Sequence, residues 1–163
     1  ALPISDYVLE NDLGGEHYSD PDLTCREHPG RVEEYELERL RTMMIDMIRQ
    51  PEDFKQWFGS FVTTPRHELD IAPTEPPYEE EEVVDALLGG EKLSRLSGLR
   101  VLHIDDSFFV HSEQLDNTDA EALDALCRYT SLGQEELGSG LQNPAFVSEL
   151  TRLINQGYWY FEE

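Results

Sequence analysis

The chain has 163 residues, with 35 acidic against 12 basic side chains and a formal net charge of -23. The length suits one domain or two small ones, and seven Phe, seven Tyr and two Trp are too many for a disordered polyelectrolyte. The charge disfavours nucleic acid and anionic lipid as partners, because binding a duplex requires Lys and Arg to neutralise phosphates. The composition therefore predicts a globular protein with an acidic surface.

The sequence carries no signal for export or membrane insertion. No apolar run approaches the roughly 20 residues of a membrane helix, and the first residues lack the pattern of a signal peptide. Cys25 and Cys127 have neither the number nor the spacing of a disulfide framework or a zinc site. We therefore expect a cytoplasmic protein with reduced thiols. Because the chain begins at Ala1 without a methionine, we expect a processed product or a piece of a longer protein.

The first part of the chain is predicted to be helical. Residues 4–13 indicate a short helix that ends at Gly14-Gly15, and a polar loop follows over residues 16–30. Residues 32–50 place apolar side chains at spacings of three and four, which indicates an amphipathic helix. Pro51 fits the first turn of a second helix with an aromatic side. The apolar faces of the two helices form a candidate dimer interface that consists of Leu37, Leu40, Met43, Met44, Met47, Ile48, Phe54, Trp57, Phe58 and Phe61.

These two helices form a predicted αα-hairpin with more apolar surface than one neighbouring helix usually covers. A second copy of the chain is one supplier of the missing contacts, and the rest of the same chain is the other. The residues alone leave both open. Pro65, Pro73, Pro76 and Pro77 exclude a helix from the connector that follows. We therefore divide the chain into a helical dimerisation segment with its connector, residues 1–76, and a second domain, residues 77–163.

The second domain is predicted to begin with a helix over residues 79–88. Its inward side chains are predicted to be Val83, Val84, Leu87 and Leu88, and Gly89-Gly90 ends it. The hydrophobic period then changes from about 3.6 residues to about 2, which indicates short strands. The predicted strands cover residues 93–96, 99–105 and 107–112. A turn at Asp105-Asp106 joins the last two.

Two further helices complete the predicted domain. Thr118 and Glu121 indicate a capping box for a helix that carries Leu123, Leu126 and Tyr129. The last helix is predicted to begin with Asn143 as N-cap and Pro144 in the first turn, and the closing aromatic residues are predicted to dock on the domain. The fold class is therefore mainly α with a small antiparallel sheet, arranged as a winged-helix-like domain.

This domain lacks the charge of a DNA-reading winged helix. The helix after residue 118 carries Asp119, Glu121 and Asp124 against Arg128. The last helix offers only Arg152, which Glu149 offsets. Because a recognition helix needs a basic face to approach phosphates, we expect no nucleic-acid partner.

Two tripeptides have the residue types of a non-haem iron site, which uses two histidines and a carboxylate. They contain His103 with Asp105, and His111 with Glu113. A strand would place each pair on one face, but there are too few strands to surround a metal and a cosubstrate. We therefore favour a solvated hairpin face, and we expect no metal site and no catalytic residue in this chain.

Several motifs, in chain order, carry a resemblance to a known family. The motifs are DYVL (6–9), LGG (13–15), YSDPD (18–22), FKQWFG (54–59), RHELDIAP (66–73), GLRVL (98–102) and GYW (157–159). Together they resemble the C-terminal half of the bacterial ribosomal oxygenases, which are JmjC-type proteins with a cupin fold. The resemblance is closest to those that hydroxylate an arginine of a large-subunit ribosomal protein.

The resemblance implies a parent protein with three parts: a JmjC barrel that binds Fe(II) and 2-oxoglutarate, a helical segment that pairs two subunits, and a winged-helix domain. Only the last two are expected here, so the implied role is a dimerisation scaffold of a dioxygenase, without a cofactor of its own. The implied partners are a second copy of the chain and a basic ribosomal protein. The alternatives are a free-standing acidic adaptor that binds basic proteins, and a DNA-binding winged helix.

Overall fold

A computed structural model describes residues 32–47 and 51–162 of the chain. The chain forms two compact units, Ala1–Trp57 and Phe58–Glu163. The helix predicted over residues 4–13 and the loop predicted over residues 16–30 lie outside the described residues. The domain boundary predicted after residue 76 stays a prediction.

The first unit contains α1 (Glu34–Met47) and the beginning of α2 (Pro51–Thr63), so both predicted helices are confirmed. The backbone N–H of Glu33 donates to the Glu36 carboxylate at 2.8 Å, which satisfies one of the amide groups that a helix start leaves unpaired. α2 begins at Pro51 as predicted, because a proline in the first turn sacrifices no helical hydrogen bond.

The C-terminal half of α2 belongs to the second unit. Thr63 is fully buried, and its hydroxyl donates to the Gly59 carbonyl at 2.7 Å and accepts from the Ser112 N–H at 3.0 Å. The Arg100 guanidinium donates to the Val62 carbonyl at 3.1 Å. The cation and the hydroxyl therefore satisfy carbonyl groups of the last turns of α2.

The helix α3 (Glu80–Leu88) follows the connector and ends at the predicted glycines. The Glu79 N–H donates to the Glu82 carboxylate at 2.9 Å, as in a capping box. Val83 and Leu87 are fully buried, but Val84 is only half-buried and Leu88 is 53% exposed. The inward position predicted for Leu88 is wrong, because each residue turns about 100° around a helix and Leu87 already takes the core-facing position.

The strands form two antiparallel three-stranded sheets rather than the single small sheet that was predicted. The strands are β1 (Leu93–Arg95), β2 (Val101–Ile104), β3 (Ser107–Val110), β4 (Glu113–Leu115), β5 (Ser131–Leu132) and β6 (Trp159–Phe161). One sheet has the order β5-β1-β6 and the other the order β2-β3-β4, in which the chain runs directly from strand to strand. Strands β4, β5 and β6 were not predicted, because segments of two or three residues are too short to show an alternating pattern.

The helix α4 (Ala120–Arg128) follows β4 and precedes β5 in the sequence. Its N-cap is Asp119, whose carboxylate accepts from the Ala122 N–H at 3.1 Å. The capping box predicted for Thr118 with Glu121 is therefore wrong, because Asp119 provides the capping oxygen and the helix begins one residue later. Tyr129 is also not a helical residue, since it forms the C-cap.

The last helices close the domain over its core. Two short elements that were not predicted, α5 (Gln134–Leu137) and a 3₁₀ helix (Gly138–Gln142), precede α6 (Pro144–Asn155). α6 begins as predicted, with the Asn143 side chain accepting from the Ala145 N–H at 3.1 Å. The docking of the closing aromatic segment is confirmed by fully buried Trp159 and by the pairing of β6 with β1. The buried face of α6 includes Phe146, Val147, Leu150, Leu153 and Ile154.

Candidate interaction surfaces

The described part of α1 exposes two of the predicted interface residues. Leu37 is 51% exposed and Leu40, one turn later, is 46% exposed. Ile45 is also exposed, although the predicted set does not include it because it lies off the apolar stripe. The side chains of four predicted residues lie outside the described part of the structure, namely Met43, Met44, Met47 and Ile48.

α2 presents aromatic side chains along its length. Phe54 and Trp57 are half-buried, and their ring centroids are 5.6 Å apart. Phe58 is 43% exposed and Phe61 is 44% exposed. Large aromatic groups that reach solvent on consecutive turns are typical of a surface that contacts another protein.

The helix α4, a candidate recognition helix from its sequence, offers no uncompensated cation among its described residues. Arg128 donates to the Asp124 carboxylate at 2.7 Å, and the same carboxylate lies 3.4 Å from the imidazole Nε2 of His103. Glu121 is exposed in the first turn. The field at this helix is therefore acidic, as its sequence predicts.

Arg152 on α6 is held by carboxylates on two elements. It lies 2.6 Å from Glu149 on its own helix and 3.0 Å from Glu113 in β4. The hydrogen bond to Glu149 raises the pKa of Arg152 above its ordinary value, and the bond to Glu113 acts in the same direction. This cation therefore joins α6 to the sheet of β2, β3 and β4 rather than facing a phosphate.

Arg95 has a similar structural role at the end of α4. Its guanidinium lies 3.4 Å from the Leu126 carbonyl and 3.3 Å from the Cys127 carbonyl, where the helix dipole favours a cation. The Cys127 thiol is half-buried near the same helix end, and burial raises its pKa to about 12. This cysteine is therefore a protonated thiol at neutral pH.

The two tripeptides with iron-ligand residue types lie on separate turns of one sheet. His103 stacks on Phe108, and its Nδ1 lies 3.3 Å from the Asp105 carbonyl. His111 has a positive φ and follows the end of β3 at Val110, so it does not share a strand face with Glu113 as was predicted. Over residues 32–47 and 51–162, no three His, Cys, Asp or Glu side chains come together in a group that could hold a metal. The residues of these tripeptides do not fit an iron centre.

A groove lies between α3 and the segment that enters α6, with a volume of about 270 Å³. Its lining combines carboxylates with apolar side chains, and sequence reasoning missed it because it depends on the 3₁₀ helix. The lining residues are Glu80, Glu81, Val84, Asp85, Leu141, Gln142, Pro144 and Val147.

Within the described residues, no helix has the length and apolar character needed to cross a membrane.

The architecture is that of a winged-helix protein, and comparison with known proteins gives its class. The chain belongs to the ROXA-like winged-helix family, whose model matches residues 46–160. This confirms the winged-helix prediction and agrees with the mainly helical architecture and its two small antiparallel sheets.

Individual relatives of the chain are ribosomal oxygenases. It is 51% identical over 159 residues to the ribosomal protein uL16 3-hydroxylase of Escherichia coli (strain K12), a match that covers 98% of this chain and 43% of the relative. The solved structure of YcfD, a ribosomal oxygenase from Escherichia coli, matches with a TM-score of 0.82 at 50% identity, over 99% of this chain and 45% of that one. A further YcfD structure, in complex with cobalt and 2-oxoglutarate, has a TM-score of 0.80 at 50% identity and covers the same shares.

The chain therefore spans less than half the length of the relatives that it matches. The matched part is their C-terminal, winged-helix part. These findings confirm the resemblance to the ribosomal oxygenases that the motifs indicated.

Proposed function

We propose that this chain is the dimerisation and winged-helix scaffold of an Fe(II)- and 2-oxoglutarate-dependent ribosomal-protein arginine hydroxylase, and that it supplies no catalytic residue. The observation that carries the proposal is the 51% identity over 98% of the chain to a ribosomal-protein hydroxylase of which it covers 43%. The cofactor assignment is supported by the related YcfD structure that contains cobalt and 2-oxoglutarate.

The contacts of the candidate ligand residues favour a structural role for the chain over a catalytic one. His103 contacts Asp124 and Phe108, and Glu113 contacts Arg152, so these side chains take part in interactions within the domain. Iron and 2-oxoglutarate would supply the oxidation chemistry in the barrel of the parent enzyme. The role of this chain is to hold two such barrels at a fixed spacing.

Dimerisation is the second element of the proposal. Leu37 and Leu40 on α1 expose apolar surface, and Phe58 and Phe61 on α2 do the same. A symmetric homodimer would bury these residues against the same patch of the partner subunit, because a two-fold interface uses one surface of both subunits. Because these side chains are already about half covered within one chain, complete burial of each would contribute roughly half of the 1.5–3 kcal/mol of a fully exposed side chain.

The remaining partners follow from charge and from the relatives. Because the uL16 hydroxylase is named for a ribosomal protein, we propose a basic ribosomal protein as the substrate of the parent enzyme and the cytoplasm as its compartment. We propose no nucleic-acid partner for the winged-helix unit. The charge of -23 and the pairing of Arg128 and Arg152 with carboxylates support this exclusion.

Anaerobic calorimetry with Fe(II) and 2-oxoglutarate tests the proposal on the chain as it stands. A scaffold is expected to show no stoichiometric binding and no conversion of 2-oxoglutarate to succinate when oxygen is admitted. A double variant with His103→Ala and His111→Ala is the matched control. Stoichiometric binding that this variant loses, or turnover by the chain alone, would contradict the proposal.

A second candidate is a free-standing acidic adaptor, which the net charge of -23 favours. An adaptor would bind a basic ribosomal protein as a separate chain, and the affinity would fall steeply with salt. The scaffold would instead require its barrel for substrate binding. Titration of a labelled basic ribosomal protein over a range of salt concentrations separates the two, since binding at low salt that is lost at high salt supports the adaptor.

A further inference from the structure

The groove beside α3 has one acidic wall on an exposed helix face. Glu81, Val84, Asp85 and Leu88 occupy positions i, i+3, i+4 and i+7, so they lie on one side of α3. Val83 and Leu87 occupy the opposite, fully buried side. The exposed side therefore alternates carboxylates with apolar side chains, and Leu88 continues it beyond the groove.

The floor and the far wall of the groove are largely apolar. Leu141 and Val147 are almost completely buried at its base, and Pro144 is exposed at its rim. Among the described residues that line the groove there is no lysine or arginine. An apolar base with carboxylates on one side only favours a ligand that has cations on one side and an apolar group on the other.

We propose that this groove docks a lysine- and arginine-rich peptide segment of a second protein, with one aliphatic side chain over Leu141 and Val147 and basic side chains against Glu81 and Asp85. A volume of about 270 Å³ accommodates a few side chains of such a segment. The inference goes beyond the scaffold role, because a dimer held through α1 and α2 does not require this surface.

Charge complementarity favours a basic segment over a phosphate, an anionic lipid or a second copy of the chain. A phosphate or an anionic lipid would meet the carboxylates of Glu80, Glu81 and Asp85 without a compensating cation in the lining. A second copy that docked through the same face would bring its own Glu81 and Asp85 against these carboxylates, and the like charges would repel each other. A basic segment is attracted by the carboxylates and also buries its apolar side chain against the base of the groove.

The test uses the full chain and a short, fluorescently labelled peptide of alternating lysine and leucine. The control peptide replaces leucine by serine and keeps the same charge. The groove variant combines Glu81→Lys with Asp85→Lys. The matched protein control combines Glu68→Lys with Asp70→Lys, which makes the same change of net charge at exposed residues outside the groove lining.

We expect the groove variant to weaken binding of the leucine peptide by about tenfold or more, and the matched control by less than about threefold. Equal loss in both variants, or equal binding of the serine peptide, would show non-specific attraction to an acidic surface and would overturn the proposal. Methyl NMR of the unmodified chain provides a second measurement that does not depend on how the variants fold. Titration with the leucine peptide is expected to shift the Val84 and Val147 signals, and unshifted signals at saturation would also overturn it.

Discussion

The backbone of Gly59 in α2 lies directly against the ring of Phe109 in β3, with no space for a Cβ atom between them. Phe109 is fully buried, and its ring cannot move away without disturbing the core. Thr63, one turn beyond Gly59, binds the Ser112 backbone at the end of the same strand pair. The second half of α2 is therefore fixed to the sheet of β2, β3 and β4, and a glycine is needed for this close approach.

Replacing Gly59 by alanine is expected to lower the free energy of unfolding by about 1–2 kcal/mol. Overpacking against the Phe109 ring costs about 1–3 kcal/mol. The better helix propensity of alanine returns less than about 1 kcal/mol. Urea denaturation followed by circular dichroism measures the difference, with Ser60→Ala on the same helix as the control. A Gly59→Ala variant as stable as the unmodified chain would contradict the contact.

Replacing Arg152 by methionine removes the link between α6 and β4 while keeping most of the side-chain volume. We expect a loss of about 1 kcal/mol, because the guanidinium is partly buried and contacts both Glu149 and Glu113. Arg128→Met removes an exposed pair with Asp124 within one helix and is expected to cost only about 0.3 kcal/mol. Equal effects of the two substitutions would mean that the link between the elements contributes nothing.

Cys127 is expected to resist alkylation in the folded chain. Burial raises the pKa of its thiol to about 12, and the neighbouring Asp124 acts in the same direction, so almost no thiolate forms at mildly alkaline pH. The measurement is mass-spectrometric detection of iodoacetamide adducts in a Cys25→Ser variant. The same sample in urea is the control and should label completely. Rapid labelling of the folded protein would contradict the buried position.

The carboxylate of Glu162 is expected to stabilise the docked C-terminal strand in a pH-dependent way. Hydrogen bonds from the Ser131 and Ser94 hydroxyls, at 2.5 and 2.7 Å, lower its pKa below 4.5. The stabilisation is therefore fully present above pH 4.5, the value for the unfolded chain, and is lost as the pH falls through the lower folded value.

Glu162→Gln should accordingly lower the urea midpoint near neutral pH, and the difference from the unmodified chain should shrink well below pH 4.5. Paired denaturation curves at neutral and acid pH measure this. A difference that does not change with pH would exclude the ionised carboxylate as its source.

Much of the fold followed from local sequence rules, and the deviations have local causes. Asn143 and Pro144 marked the start of α6 correctly, because capping and proline preferences act over a few residues. Thr118 was a plausible cap, but Asp119 stands next to it and takes the role. The strand β6 could be anticipated only as a docked aromatic segment, because its pairing with β1 joins residues far apart in the chain.

The interaction surfaces were predictable to different degrees. Periodicity alone identified Leu37 and Leu40 as apolar positions of α1, and both are exposed. The groove was not predictable, because it combines an outward face of α3 with the 3₁₀ helix before α6. The sequence also predicted an inward position for Leu88, and its exposure became visible only once Val83 and Leu87 defined the core side of α3.

Multi-angle light scattering of the purified chain tests the central claim most directly. A dimerisation scaffold is expected to elute with twice the chain mass of 18.8 kDa at micromolar concentration, and to become monomeric when Leu37→Asp and Leu40→Asp are combined. The control variant is Thr42→Ser, which changes an exposed residue of the same helix and leaves the apolar surface unaltered. A mass of 18.8 kDa for the unmodified chain at high micromolar concentration would contradict the account.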